Sequence, residues 1–160
     1  MSSRCNLLGE AIDLMVRKKC LVMEILQLTE AQAKLLNPER TGELLQLVEQ
    51  RQGCIEGITI IDKDLQRVED GLLKSSGLSS LCEGDTALNE GWRQVLDLCK
   101  GIQVLWGKVN NKDQLNRQVI GQELAALKRT LHSLRARRGT IQAYRGTAQQ
   151  RGGYFIDHKK

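Results

Sequence analysis

ALNEGWRQVLDLCKGIQVLWGKVNNKDQLNRQVIGQELAALKRTLHSLRARR, residues 87–138, carries the pattern that decides the fold. Along it Leu88, Trp92, Val95, Cys99, Ile102, Trp106, Val109, Asn116, Ile120, Leu124, Leu127, Leu131 and Leu134 recur at spacings of four and three, broken once at Asp113. That spacing lays one apolar stripe along one side of an α-helix. The stretch reads as a single helix over about 87–138, ~75–80 Å long at ~1.5 Å per residue, with Gly139 as its stop. A break at Asn110-Asn111 is the alternative, because those residues and Gly107 are weak helix formers.

Upstream, residues 74–86 (KSSGLSSLCEGDT) form the one clear loop, with Asp85 or Thr86 placed to cap the helix that follows. Before that loop lie two more helical patterns. In the first, about 4–36, two neighbouring stripes run side by side. Leu8, Ile12, Met15, Val22, Leu26, Thr29, Ala33 and Leu36 form one, interrupted at Lys19, and Leu7, Ala11, Leu14, Leu21, Ile25, Leu28 and Leu35 form the other. A face that broad serves a helix with more than one partner. Asn37-Pro38 ends it, since the residue before proline is driven out of the helical region, and Pro38 then suits the first turn of a second helix over about 39–73. A tight turn between two long helices makes an antiparallel hairpin.

Composition agrees. Of 160 residues 25 are Leu, one is Pro and 3% are aromatic, which favours Leu-rich helices over a β-sandwich. The expected fold class is all-α: an elongated antiparallel three-helix coiled-coil bundle forming one domain over 1–138, followed by a flexible basic tail over 139–160. The third helix exceeds the hairpin by about five turns, so its end either extends past the hairpin or packs on another chain. Leu124 and Leu127 are expected in an intramolecular core, while Leu131 and Leu134 are divided between core and partner contact. Seven helical glycines, among them Gly53, Gly57, Gly91 and Gly107, each cost up to ~1 kcal/mol relative to Ala. Gly53 and Gly57, four apart, are candidates for close helix approach.

The net charge of +5 first suggests nucleic acid or an anionic membrane. Its distribution says otherwise: Arg135, Arg137, Arg138, Arg145, Arg151, Lys159 and Lys160 face one acid, Asp157, after residue 134, and everything before is near neutral. The five cysteines include no C-x-x-C pair and read as free thiols in a reducing, cytoplasmic compartment. No apolar run is long enough to span a membrane, and Glu10 and Asp13 interrupt the N-terminus before a signal-peptide-like stretch forms. His132 and His158 are far apart, no Glu-x-x-His pair exists, and no phosphate-cradling loop or nucleophile signature is present. No enzyme, cofactor or metal is therefore expected. The tail holds Tyr144, Tyr154 and Phe155, three of the five aromatics in the chain, beside Ile141 and Ile156, and reads as a segment that orders on binding.

Two stretches resemble the FlgN-type flagellar export chaperones. VNNKDQLNRQVIGQEL (109–124) is similar to that family's Asn-x-x-Asn-x-x-Leu-Leu/Ile segment, with Asn116 as the second Asn, Val119 and Ile120 as the apolar pair, and Asp113 where the first Asn stands. AYRGTA (143–148) is similar to its Tyr-Gly-x-x-Gly stretch, with Tyr144 as the tyrosine and Arg145 separating it from Gly146. The resemblance implies a cytosolic chaperone that binds hook–filament junction (hook-associated) proteins, prevents their premature aggregation and delivers them to the export gate. It implies client contacts through Leu127, Leu131, Leu134 and Ile141, extended by Tyr154, Phe155 and Ile156, with Tyr144 docking to the gate or the client. Two other readings stand beside it. One is a structural coiled-coil protein that self-assembles through the third helix or the tail without a client; the other is a nucleic-acid-binding helical protein.

Overall fold

The computed structural model describes residues 3–75 and 86–150. Three helices make up nearly all of them: α1 (Ser3–Lys34), α2 (Thr41–Ser75) and α3 (Thr86–Gln150). Among the described residues there is no strand.

The link between α1 and α2 follows from Pro38. Asn37 before it is extended, with φ −126° and ψ 134°. Its side-chain oxygen accepts from the Glu39 backbone N–H at 3.3 Å, and its carbonyl accepts from that of Arg40 at 3.0 Å. Pro38–Arg40 is a single 3₁₀ turn, so the second α-helix starts at Thr41, two residues later than the sequence suggests.

α3 answers the question left open at Asn110-Asn111: it runs through both. It also runs through Gly139, the expected stop, to Gln150, so residues 139–150, expected in a flexible tail, are helical. One glycine costs up to ~1 kcal/mol, too little to end a helix whose next residues are not breakers. The Thr140 hydroxyl donates to the Ala136 carbonyl at 2.9 Å, bonding across that position.

By packing, the chain divides into two compact units, residues 1–117 and 118–160. In the first unit, contacts between α1 and α2 run in opposite senses along the two helices. Glu10 pairs with Arg67 and Lys18 with Asp62, Leu21 lies against Gly57, and Gln32 meets Arg51. Contacts between α1 and α3 run in the same sense: Leu8 with Gly91, Lys19 with Gly101, Thr29 with Asn116. The hairpin is therefore antiparallel, and α3 runs parallel to α1.

Both stripes expected on α1 face the interior of this unit, with Leu8, Met15, Val22 and Thr29 of the first and Ala11, Leu14 and Ile25 of the second buried, most of the rest half-buried and Ala33 exposed. Met15, Val22 and Ile25 join Cys54, Ile58, Ile102 and Val109 in a core drawn from all three helices. Ala11 and Leu14 pack with Val68 beside it. Val22 and Ile25 have no exposed surface, so each contributes about 1.5–3 kcal/mol of apolar burial. The ion pairs between α1 and α2 at the surface, Lys18–Asp62 and Glu10–Arg67, each add at most about 1 kcal/mol.

A polar layer crosses the same bundle. Thr29 is fully buried; its hydroxyl donates to the Ile25 carbonyl at 2.7 Å and its own carbonyl accepts from Asn116 Nδ2 at 3.2 Å. Arg51 of α2 grips Asp113 of α3 with both arms, Nη1 to Oδ1 at 2.8 Å and Nη2 to Oδ2, and Nη1 also reaches Gln32 Oε1 at 3.5 Å. Asp113, the break in the apolar stripe, is the partner of this arginine. Breaking the pair from one side leaves a mostly buried guanidinium without its carboxylate. Asp113→Ala should lower the unfolding free energy by about 1–3 kcal/mol, and Arg51→Met combined with Asp113→Leu should recover most of that loss, as read by urea unfolding.

The helical glycines separate by neighbourhood. A Cβ on Gly91 would stand 2.3 Å from Leu8 Cδ2 and 3.0 Å from its Cγ, inside a buried contact. A Cβ on Gly57 would meet Leu21 at 3.1 Å, whereas Gly53 and Gly107 face open space. Of the Gly53/Gly57 pair, only Gly57 allows close approach. Gly107→Ala should therefore raise stability by about 0.5–1 kcal/mol through helix propensity. Gly91→Ala should lower the melting temperature, because Leu8 has to move.

Candidate protein-binding surface

The second unit presents the apolar residues that the sequence picked out. Every described side chain from Gln118 to Gly146 is exposed. Leu124 is 51% exposed, Leu127 57%, Leu131 45%, Leu134 49% and Ile141 54%. The expectation that Leu124 and Leu127 lie in an intramolecular core is overturned: both are as open as Leu131 and Leu134. Their stripe is continuous with the buried one in sequence, but α1 and α2 bury their apolar faces within residues 1–117. Tyr144 is 73% exposed on the same helix. Tyr154, Phe155 and Ile156 lie outside the described residues.

Helical geometry sets these side chains in a line. Leu127, Leu131 and Leu134 recur at four and three, and the count continues through Arg138 to Ile141 and Arg145. Ile120 and Leu124, both about half exposed, extend the line toward the N-terminal end of the unit. Two arginines thus stand within the apolar stripe, a feature that counting charges along the chain did not reveal. Carrying the four-three count past residue 138 would have found it, had the helix not been ended at Gly139.

The segment that resembles the family pattern divides by role. Asn116 is buried and bonded to the α1 backbone, which makes it a packing residue. Val119 and Ile120 are exposed. Asp113, where the first Asn of the pattern stands, belongs to the pair with Arg51.

No group of three or more His, Cys, Asp or Glu among the described residues could hold a metal ion. Among the described residues no helix is long and apolar enough to cross a membrane. A shallow groove of about 440 Å³ between α1 and α3, lined by Cys5, Leu8, Gly9, Ile12, Glu90, Gly91 and Gln94, offers one carboxylate and one thiol. The buried thiol of Cys54 is pushed up from its ordinary pKa by burial and secondarily by the Glu24 carboxylate, so it stays protonated at neutral pH.

In comparison with known proteins, the family model described as FlgN protein fits residues 1–152. No curated protein and no solved structure matches the chain.

The contrast between the units can be measured. Leu127→Ser, at an exposed position, should change the unfolding free energy by less than about 0.5 kcal/mol. Ile25→Ala should cost about 2–5 kcal/mol. Thermal or urea melts of both variants check the assignment of core and open surface.

Proposed function

This chain belongs to the FlgN family of flagellar export chaperones, and on that premise we propose that it binds hook–filament junction proteins in the cytoplasm and delivers them to the flagellar export gate. The observation that carries this is the line of half-exposed apolar side chains, Leu124, Leu127, Leu131, Leu134 and Ile141, on the one helix of the second unit. A row of large apolar groups held open at helical spacing is what an amphipathic client helix needs as a counter-surface.

The mechanism requires no covalent step. Each Å² of apolar surface covered contributes about 25 cal/mol, so a client helix seated on this line withdraws its sticky face from solution. Bound client is then depleted from the pool free to aggregate. Leu127, Leu131, Leu134 and Ile141 supply the anchors, and Tyr154, Phe155 and Ile156 lengthen the contact. Tyr144, exposed beside Ile141, serves gate docking or client binding. Release needs only a competing contact or the unfolding that accompanies export.

The test is capture from a lysate of motile cells by the full-length chain and by Leu131→Asp/Leu134→Asp, with bound proteins identified by mass. Wild type should retain junction proteins and the variant should lose at least tenfold of them while its melting temperature stays unchanged. Equal capture by both, or capture by neither, would sink the proposal.

A further inference from the structure

Between residues 118 and 150 the chain carries six bases, Lys128, Arg129, Arg135, Arg137, Arg138 and Arg145, against one acid, Glu123. The ion pairs that tie the first unit together, from Glu10–Arg67 to Arg51–Asp113, use none of these six bases. The placement of the bases matters more than their number. At ~100° per residue, Arg138 and Arg145 fall within about 20° of Leu127 around the helix, inside the apolar stripe, and Lys128 and Arg135 line one edge about 80–100° away.

A helix laid over Leu127, Leu131, Leu134 and Ile141 has to cover Arg138, which stands between them, and Arg145 follows one turn past Ile141 on the same line. Covering a guanidinium with apolar side chains strips its water and returns nothing, whereas a carboxylate in reach supplies a two-armed, charge-assisted pair. We propose, building on the chaperone reading, that the occupant of this surface is an acidic amphipathic helix of the client. Its apolar residues meet Leu127–Leu134, and Asp or Glu spaced seven apart on the same face meet Arg138 and Arg145. The surrounding bases steer such a helix in and disfavour basic ones.

The same geometry disfavours the other occupants. A second copy of the chain would set six bases against six, with one acid on each side. A nucleic acid would satisfy the arginines and leave the leucine line in water. A membrane surface prefers cations at the edges of the apolar face, and here Arg138 and Arg145 would be carried into the acyl boundary with Leu134 and Ile141.

The experiment uses the full-length chain and two fluorescent 18-residue helical peptides. They share one leucine stripe and differ only in Glu or Gln at two stripe positions seven apart and at the flanks. By anisotropy in 50 mM NaCl the Glu peptide should bind at least tenfold more tightly than the Gln peptide, and the gap should narrow in 300 mM NaCl. Arg138→Gln/Arg145→Gln should remove most of the gap while binding the Gln peptide as wild type does. Equal binding of both peptides by wild type would overturn the acidic client and leave the helix-binding reading intact. Binding of neither would overturn both. A gap unchanged in the double variant would overturn the proposal too. So would tighter binding to phosphatidylserine vesicles or duplex DNA than to the Glu peptide, or a wild-type chain that sediments as a dimer through this stripe.

Discussion

Arg51 and Asp113 hold the register of the first unit. A stripe of Leu, Ile and Val spaced at four and three is nearly the same after every seven residues, so apolar packing alone would tolerate a helix slipped by two turns. The two-armed pair tolerates no such slip, because a displaced α3 would bury Asp113 without a cation and leave Arg51, Gln32 and the Thr29 carbonyl unmatched. Asn116, three residues beyond Asp113 on the same face, repeats the constraint against α1. Asp113, the break in the apolar stripe, and Asn116, the polar member within it, are thus the groups that specify which residues of three long, similar helices meet.

Once that register is set, the division of apolar surface follows. Met15, Val22, Ile25, Ile58, Ile102 and Val109 complete a core within residues 1–117. The leucines from 124 onward sit on the same helical period yet remain half exposed. An isolated helix keeps such a face open only at a cost in solubility, and the six bases around it offset that cost by keeping the surface charged. A surface that is apolar along one line and basic within and beside it selects for partners that are apolar and acidic in the same arrangement.

Much of this was legible in the residues. Periodicity and Pro38 located three helices and the tight antiparallel turn, because both signals act over a few residues and do not depend on distant packing. The short motifs around Asn116 and Tyr144 pointed to the family that the match over residues 1–152 then established. What failed depended on context. Gly139 reads as a stop in the sequence, yet a lone glycine ends a helix only when the following residues cannot continue it, and Thr140 to Gln150 can. Leu124 and Leu127 read as core because they share a period with buried residues. A period says that side chains share a face, and only the length of the opposing helices says whether anything covers it. Asp113 looked like a flaw in the pattern because its partner, Arg51, is 62 residues away in sequence.

The basic excess shows the same limit most clearly. Summed along the chain, it belongs to the C-terminal end and looks like the property of a tail. On a helix that continues past Gly139, Arg145 leaves the tail and joins Arg138 on the apolar line itself. In a flexible tail those arginines would strengthen attraction to any anion. On a helix face their spacing of seven becomes a geometric demand, because two carboxylates two turns apart satisfy both and a diffuse polyanion does so only while leaving the leucines wet. Helix continuity therefore converts net charge, a weak guide to partners, into a position-specific requirement on the partner's sequence.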